Sequence, residues 1–152
     1  MKRKNLIKSL GLIKMKISNV FDYNLYLVGL SGTGKSTCGK ILSQRLNMIF
    51  IDLDKEIIKK EKTSISNIFK NKGEKYFRKI ENNILEKYSK KINCIIATGG
   101  GIVENYSNIE IMKKTGKIIW LRASPKQISK RLNSKYAEHR PLLGETPKVE
   151  NI

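Results

Sequence analysis

One stretch, Gly29-Leu30-Ser31-Gly32-Thr33-Gly34-Lys35-Ser36, constrains this chain more than any other. It follows the apolar run Leu25-Tyr26-Leu27-Val28, and helical patterning begins near Thr37. Strand, glycine-rich turn and helix therefore follow one another in the order that the phosphate-binding P-loop requires. The physical need is specific. Backbone N–H groups must converge on phosphate oxygens, and side chains would block their approach, so the loop is built of glycine. The helix that follows points its positive end at the anion. In such loops the lysine, here Lys35, reaches the β- and γ-phosphates, and the hydroxyl of Ser36 ligates Mg²⁺. Gly32, Thr33, Gly34, Lys35, Ser36 and Thr37 are the residues expected to hold a nucleoside triphosphate.

The rest of the chain has the pattern that this loop demands. Leu25–Val28, Met48–Ile51, Cys94–Ala97 and Lys117–Leu121 are short continuous apolar runs, expected as strands of a parallel sheet covered on both faces. Between them lie helical patterns at Lys35–Leu46, Lys55–Lys60, Ser66–Lys70, Glu74–Lys90, Ser107–Lys113 and Pro125–Asn133. The last has Pro125 in its first turn and Ser124 as a possible N-cap. This alternation is that of an α/β doubly wound, three-layer fold. Residues 134–152 are polar and punctuated by Pro141, Gly144 and Pro147, and read as loop. At 152 residues, one such domain accounts for most of the chain.

Composition excludes several classes. Cys38 and Cys94 lie far apart with no CxxC spacing, so they are expected to be free, buried thiols in a reducing compartment; neither a zinc site nor a disulfide framework is expected. No segment has the length and apolarity of a membrane span. The formal charge of +18 invites a polyanion partner. Almost all the excess is lysine, however, spread along a chain also rich in Asn and Ile, and no nucleic-acid-binding module accompanies it. Compositional drift explains it, and no nucleic-acid or membrane partner is expected. Arginine is scarce, at positions 3, 45, 78, 122, 131 and 140, so each one retained is a candidate for work that lysine cannot do. Residues 1–22 form a basic extension with Leu6, Leu10, Ile13 and Ile17 on one helical face. The chain is expected in the cytoplasm, organelle targeting through residues 1–22 being the alternative.

Four further stretches carry candidate chemistry. Asp52 and Asp54, at the end of the second strand, are expected on one side of it by alternation, at the edge where ligands of α/β folds bind. A helix N-cap is the plainer reading, and Asp54 suits it. In GEKYFRKIE, Arg78 and Glu81 share a helical face at i, i+3, so a structural ion pair competes with a binding role. Thr98-Gly99-Gly100-Gly101 ends a strand in three glycines, more than a turn needs, which points to close backbone approach by a ligand. Arg140, in HRPLLGE, lies in a loop able to fold over a nucleotide.

Taken together, these motifs resemble the shikimate kinases, P-loop enzymes of the nucleoside-monophosphate-kinase-like fold. The resemblance runs from about Tyr23 to Gly144. It rests on GxxGxGKST at 29–37, DxD at 52–54, GExxFRxxE at 73–81, TGGG at 98–101 and RPLL at 140–143. It implies transfer of the γ-phosphoryl group of ATP to the 3-hydroxyl of shikimate, with Mg²⁺, by a monomer. Asp54 would bind the ring hydroxyls and accept the proton of the attacking one. Arg78 would clamp the carboxylate, oriented by Glu81, and Gly100 would offer its N–H. Asp52 would lie by the Mg²⁺ shell through water, and Thr98 and Gly99 near the γ-phosphate, with Gly101 supporting. Arg140, in a lid at about 134–147, would close on the phosphates; His139 receives no role. The family pattern continues beyond the lid with another helix, a last strand and a final helix, and with them a second carboxylate-binding arginine and an adenine loop. No residue in 149–152 can stand in for these, so little or no turnover is expected of the 152-residue form. Another kinase of the same fold, acting on gluconate for example, and an inactive basic nucleotide-binding remnant are the alternatives.

Overall fold

The computed structural model describes residues 21–132. The expected lid at 134–147, with His139 and Arg140, and residues 1–20 of the expected extension lie outside the described residues. The described part is an α/β unit built on a four-stranded sheet in the order β2-β3-β1-β4, with every pairing parallel. In chain order the elements are β1 (Asn24–Val28), α1 (Lys35–Leu46), β2 (Ile49–Asp52), α2 (Leu53–Glu61), α3 (Ile65–Ser89), β3 (Cys94–Ala97), a short 3₁₀ turn (Ile102–Glu104), α4 (Tyr106–Thr115), β4 (Gly116–Trp120) and α5 (Pro125–Leu132). Among the described residues, no helix is long and apolar enough to cross a membrane.

The strands are apolar at consecutive positions because the sheet separates two cores. Leu25, Leu27 and Ile95 face one way and pack with Met48, Leu42, Leu46 and Phe50, against α1. Tyr26, Val28, Cys94 and Ile96 face the other way and pack with Ile57, Phe77, Ile80, Ile84, Leu85 and Met112, from α2, α3 and α4. The two-residue period of a strand sends alternate side chains to opposite faces, so a strand covered on both has no polar position to spare. β4 departs from that expectation. It lies at the sheet edge in the described structure, and Ile118, Ile119 and Trp120 are exposed, Trp120 by 66%. Apolar composition alone does not distinguish an edge strand from a central one.

Two boundaries matter for the site. β2 ends at Asp52, whose side chain caps α2 by accepting from the Lys55 N–H at 3.4 Å. Asp54 is therefore in the first turn of a helix. The expected strand alternation of the two aspartates does not hold, and the cap is Asp52, not Asp54. The reason is local: a carboxylate at the strand end satisfies an otherwise orphaned N–H of the helix, which starts the helix one residue after it. The second boundary is Gly73. The two helices expected around it are both present within α3, separated at Gly73 by φ 79°, ψ 168°, a conformation that only glycine adopts without strain. The interruption begins a new helical segment at Glu74, with Arg78 and Glu81 following on one face.

Candidate active site

The strand order brings three loops together. β3 lies between β2 and β1, and in register Asp52 pairs with Ala97 and Ala97 with Leu27. The residues that follow are the start of α2, Thr98–Gly101 and the glycine-rich loop, all at the carboxyl ends of neighbouring strands. Thr98 fixes the middle loop. Its N–H and its hydroxyl both donate to the Leu27 carbonyl, at 3.1 and 2.9 Å.

In the glycine-rich loop, Gly29, Gly32 and Gly34 all have positive φ, 138°, 83° and 98°. The Thr33 hydroxyl donates to the Leu30 carbonyl at 2.8 Å, which pins the turn. Lys35 is buried, and its Nζ donates to the carbonyls of Gly29 at 2.6 Å and Leu30 at 3.0 Å. A desolvated ammonium needs such acceptors. Ser36 and Thr37 are exposed in the first turn of α1, and the Ser36 hydroxyl donates to Asp52 Oδ2 at 2.6 Å. Hydroxyl and carboxylate thus form one hard-oxygen pair beside the phosphate cradle. Arg131 of α5 reaches the same loop, its Nη1 donating to the carbonyls of Gly32 at 3.1 Å and Thr33 at 3.3 Å. Sequence reasoning gave Arg131 no role; its membership of a small set of arginines was the available signal.

The triple glycine touches every other part. A Cβ on Gly100 would lie 3.2 Å from the backbone N of Ser31, in the glycine-rich loop. One on Gly101 would lie 2.5 Å from Arg78 Nη2, and one on Gly99 would collide with Glu81 Oε1 and lie 3.3 Å from Asp54 Oδ1. Side chains at these positions would push the two halves of the site apart. Ser31 of the glycine-rich loop, Asp54, Arg78 and Glu81 accordingly gather around one strand end.

Arg78 is the electrostatic centre of the second half. Its Nη1 donates to Glu81 Oε2 at 2.9 Å, its Nε and Nη2 to Glu74 Oε1 at 3.2 and 3.0 Å, and its Nη2 also to Glu104 Oε2 at 3.1 Å. The ion pair anticipated between Arg78 and Glu81 is present. Burial works to lower the guanidinium pKa, but the bonds and charge of Glu81, with Glu74 and Glu104, hold it above its ordinary value. Glu74 lay within a recognised motif without a role of its own; Glu104 had no sequence signal, because only the 3₁₀ turn after Gly101 brings it to Arg78.

Glu81 is 1% exposed. Its second oxygen, Oε1, has no hydrogen-bond partner among the described residues and faces the Gly99 backbone. Burial raises its pKa above the ordinary glutamate value; the Arg78 hydrogen bond and charge pull it down, and the charges of Asp54 and Glu104 push it up again. A carboxyl whose pKa is raised by folding binds more protons folded than unfolded. Its contribution favours the native state at low pH and is lost as pH rises from about 4.5 through the raised value. Replacing Glu81 with glutamine should remove that dependence. In urea denaturation across this range, parent stability should decline relative to Glu81→Gln as pH rises; parallel profiles would contradict the assignment.

Of the two cysteines, Cys94 is buried as expected, but Cys38 is exposed. It occupies the turn of α1 that follows the glycine-rich loop, where the helix faces solvent.

This arrangement has counterparts of known kind. A family model described as shikimate kinase matches residues 31–152. A shikimate kinase of Sulfurihydrogenibium is 46% identical over 79% of this chain and 71% of its own length. One of Caldicellulosiruptor saccharolyticus is 43% identical over 85% of this chain and 74% of its own. The solved structure of the Acinetobacter baumannii shikimate kinase in complex with shikimate superimposes with a TM-score of 0.77 at 32% identity, covering 86% of this chain and 75% of that one. With a family model matching most of its length and relatives above 40% identity, this chain belongs to the shikimate kinase family.

Proposed function

We propose that this kinase transfers the γ-phosphoryl group of ATP to the 3-hydroxyl of shikimate, giving shikimate 3-phosphate and ADP, with the residues gathered around Gly99–Gly101. The observation that carries the reading is the common contact of that span with Ser31 on one side and Arg78, Glu81 and Asp54 on the other. A triphosphate held by the glycine-rich loop and an acid held by Arg78 would meet across it.

The roles follow from chemistry. The backbone N–H groups of Gly32, Thr33 and Gly34, with Ser36 and Thr37, hold the phosphates. Lys35 exchanges its loop carbonyls for β- and γ-phosphate oxygens and neutralises the charge that spreads over them during transfer. Arg78 grips the substrate carboxylate, since a guanidinium matches a carboxylate through two parallel donors. Glu81 holds Arg78 in orientation, and the Gly100 N–H donates to a substrate oxygen. Asp54 binds the ring hydroxyls and accepts the proton of the attacking one. Catalysis is mostly positioning, with acceptor and phosphorus held in line. Arg140, outside the described residues, is assigned the role that the resemblance gives it, a cation that offsets charge on the transferred phosphoryl group.

Mg²⁺ suits the residues present. It prefers oxygen ligands, keeps several waters and needs only one or two protein groups besides phosphates. The Ser36 hydroxyl and the Asp52 carboxylate, 2.6 Å apart, supply such a pair. Ser36 would ligate the ion and Asp52 hold it through water. When bound, the ion offsets negative charge on the phosphates. The reading also comprises a monomer acting in the cytoplasm.

The test is a substrate panel under single-turnover conditions, with enzyme in excess so that slow transfer is still read. Shikimate should give ADP and a phosphorylated product, whereas gluconate and nucleoside monophosphates, whose anionic group and hydroxyls are not spaced as on the rigid ring, should give at least about tenfold less, on the order of the discrimination that misfit in a pocket supplies. Equal use of gluconate would move the assignment to another kinase of this fold.

A further inference from the structure

We propose that Glu104 competes with the substrate carboxylate for Arg78 and so sets the affinity for the acid substrate. This rests on the reading of Arg78 as the carboxylate clamp.

A guanidinium has five N–H donors: one on Nε and two on each terminal nitrogen. In Arg78 the Nε donor and one Nη2 donor go to Glu74 Oε1, and one Nη1 donor goes to Glu81 Oε2. The second Nη2 donor goes to Glu104 Oε2 at 3.1 Å. An incoming carboxylate needs two parallel donors for a bidentate grip. Glu74 covers the edge formed by Nε and Nη2. The other edge, between Nη1 and Nη2, has its Nη2 donor engaged by Glu104. The substrate can take that edge only when Glu104 withdraws.

The three glutamates differ in how readily they yield. Glu81 is held in the interior. Glu74 is fixed at i, i+4 on the same helix as Arg78. Glu104 is 68% exposed, and among the described residues its carboxylate bonds to Arg78 alone, reached from the 3₁₀ turn that Gly101 begins. An exposed carboxylate of this kind is easily exchanged with water, and such ion pairs shift an equilibrium by about two- to fivefold. Glu104 therefore acts as an exchangeable stand-in: it steadies the guanidinium before substrate arrives and must be displaced by it.

The experiment measures equilibrium binding of shikimate to the full chain by calorimetry, for the parent, Glu104→Gln, Arg78→Gln and the double variant, with the carboxamide of shikimate as a second ligand. Glu104→Gln should tighten shikimate binding about two- to fivefold, leave carboxamide binding unmoved, and have no effect in the Arg78→Gln background. A purely structural role would not produce that dependence on the ligand's charge. Unchanged or weaker shikimate binding in Glu104→Gln, or equal tightening of the carboxamide, would overturn the competition. If Arg78→Gln weakens shikimate binding while Glu104→Gln does nothing, only this inference falls. If Arg78→Gln binds shikimate as well as the parent, or the parent shows no binding, the clamp itself falls and the inference with it.

Discussion

Lys35→Ala is expected to fold and to lose nucleotide-dependent phosphoryl transfer. Loss of one preorganised electrostatic contact to a transition state commonly costs about 10²–10³ in rate. Lys35 should lie at or beyond the upper end, because its charge also holds the ground-state triphosphate. The variant gives up two bonds from Nζ, to the Gly29 and Leu30 carbonyls; a charged donor contributes more than a neutral one, and water that fills the vacated space offsets part of it, so a stability loss of about 1–3 kcal/mol is expected. Two measurements separate the effects: thermal unfolding for the fold, and titration with a fluorescent ATP analogue for the site. A variant that still melts cooperatively and fails to bind nucleotide fits the assignment. One that binds nucleotide and transfers at the parent rate refutes it.

Asp54→Asn should separate binding from chemistry. Asparagine keeps the size of the side chain and much of its hydrogen bonding but cannot take a proton. General-base catalysis contributes about 10²–10⁴, so single-turnover transfer should slow by that factor while nucleotide affinity stays within about twofold of the parent, since Asp54 is not part of the cradle. Asp54 also pushes the Glu81 pKa upward, so the substitution should move Glu81 toward its ordinary value as well. Parent-like turnover in Asp54→Asn would remove Asp54 from the chemistry and leave it a ring-hydroxyl contact at most.

How much of this could be read beforehand varies with the range of the interactions involved. The glycine-rich loop was legible because its constraints are local: positive φ at three glycines, followed by a helix start, leave a mark on adjacent residues. The four strands were legible because each is a short run of consecutive apolar residues, although only the central β1 and β3 are buried along their whole length. The helix boundary at Asp52 was missed because two local rules, strand alternation and N-capping, compete over the same three residues, and only the hydrogen bond to Lys55 decides between them. The exposure of β4 depends on its place in the sheet, which its side chains do not announce. Around Arg78, Glu81 was legible from helical periodicity. Glu104 was not, since it is 26 residues away and arrives through a turn whose path depends on the packing of Gly101 against the guanidinium. Arg131 reaches the cradle across 99 residues for a similar reason.

The span Gly99–Gly101 works as a common datum for the two halves of the site. Each is located by contact with the same short length of main chain, so the gap between donor and acceptor is set by peptide dimensions, not by the long, lysine-rich helices around it. Those helices can drift in composition, or shift slightly as a group, without altering where phosphorus and oxygen would meet. A one-residue slip of this single strand end would misplace both reactants at once.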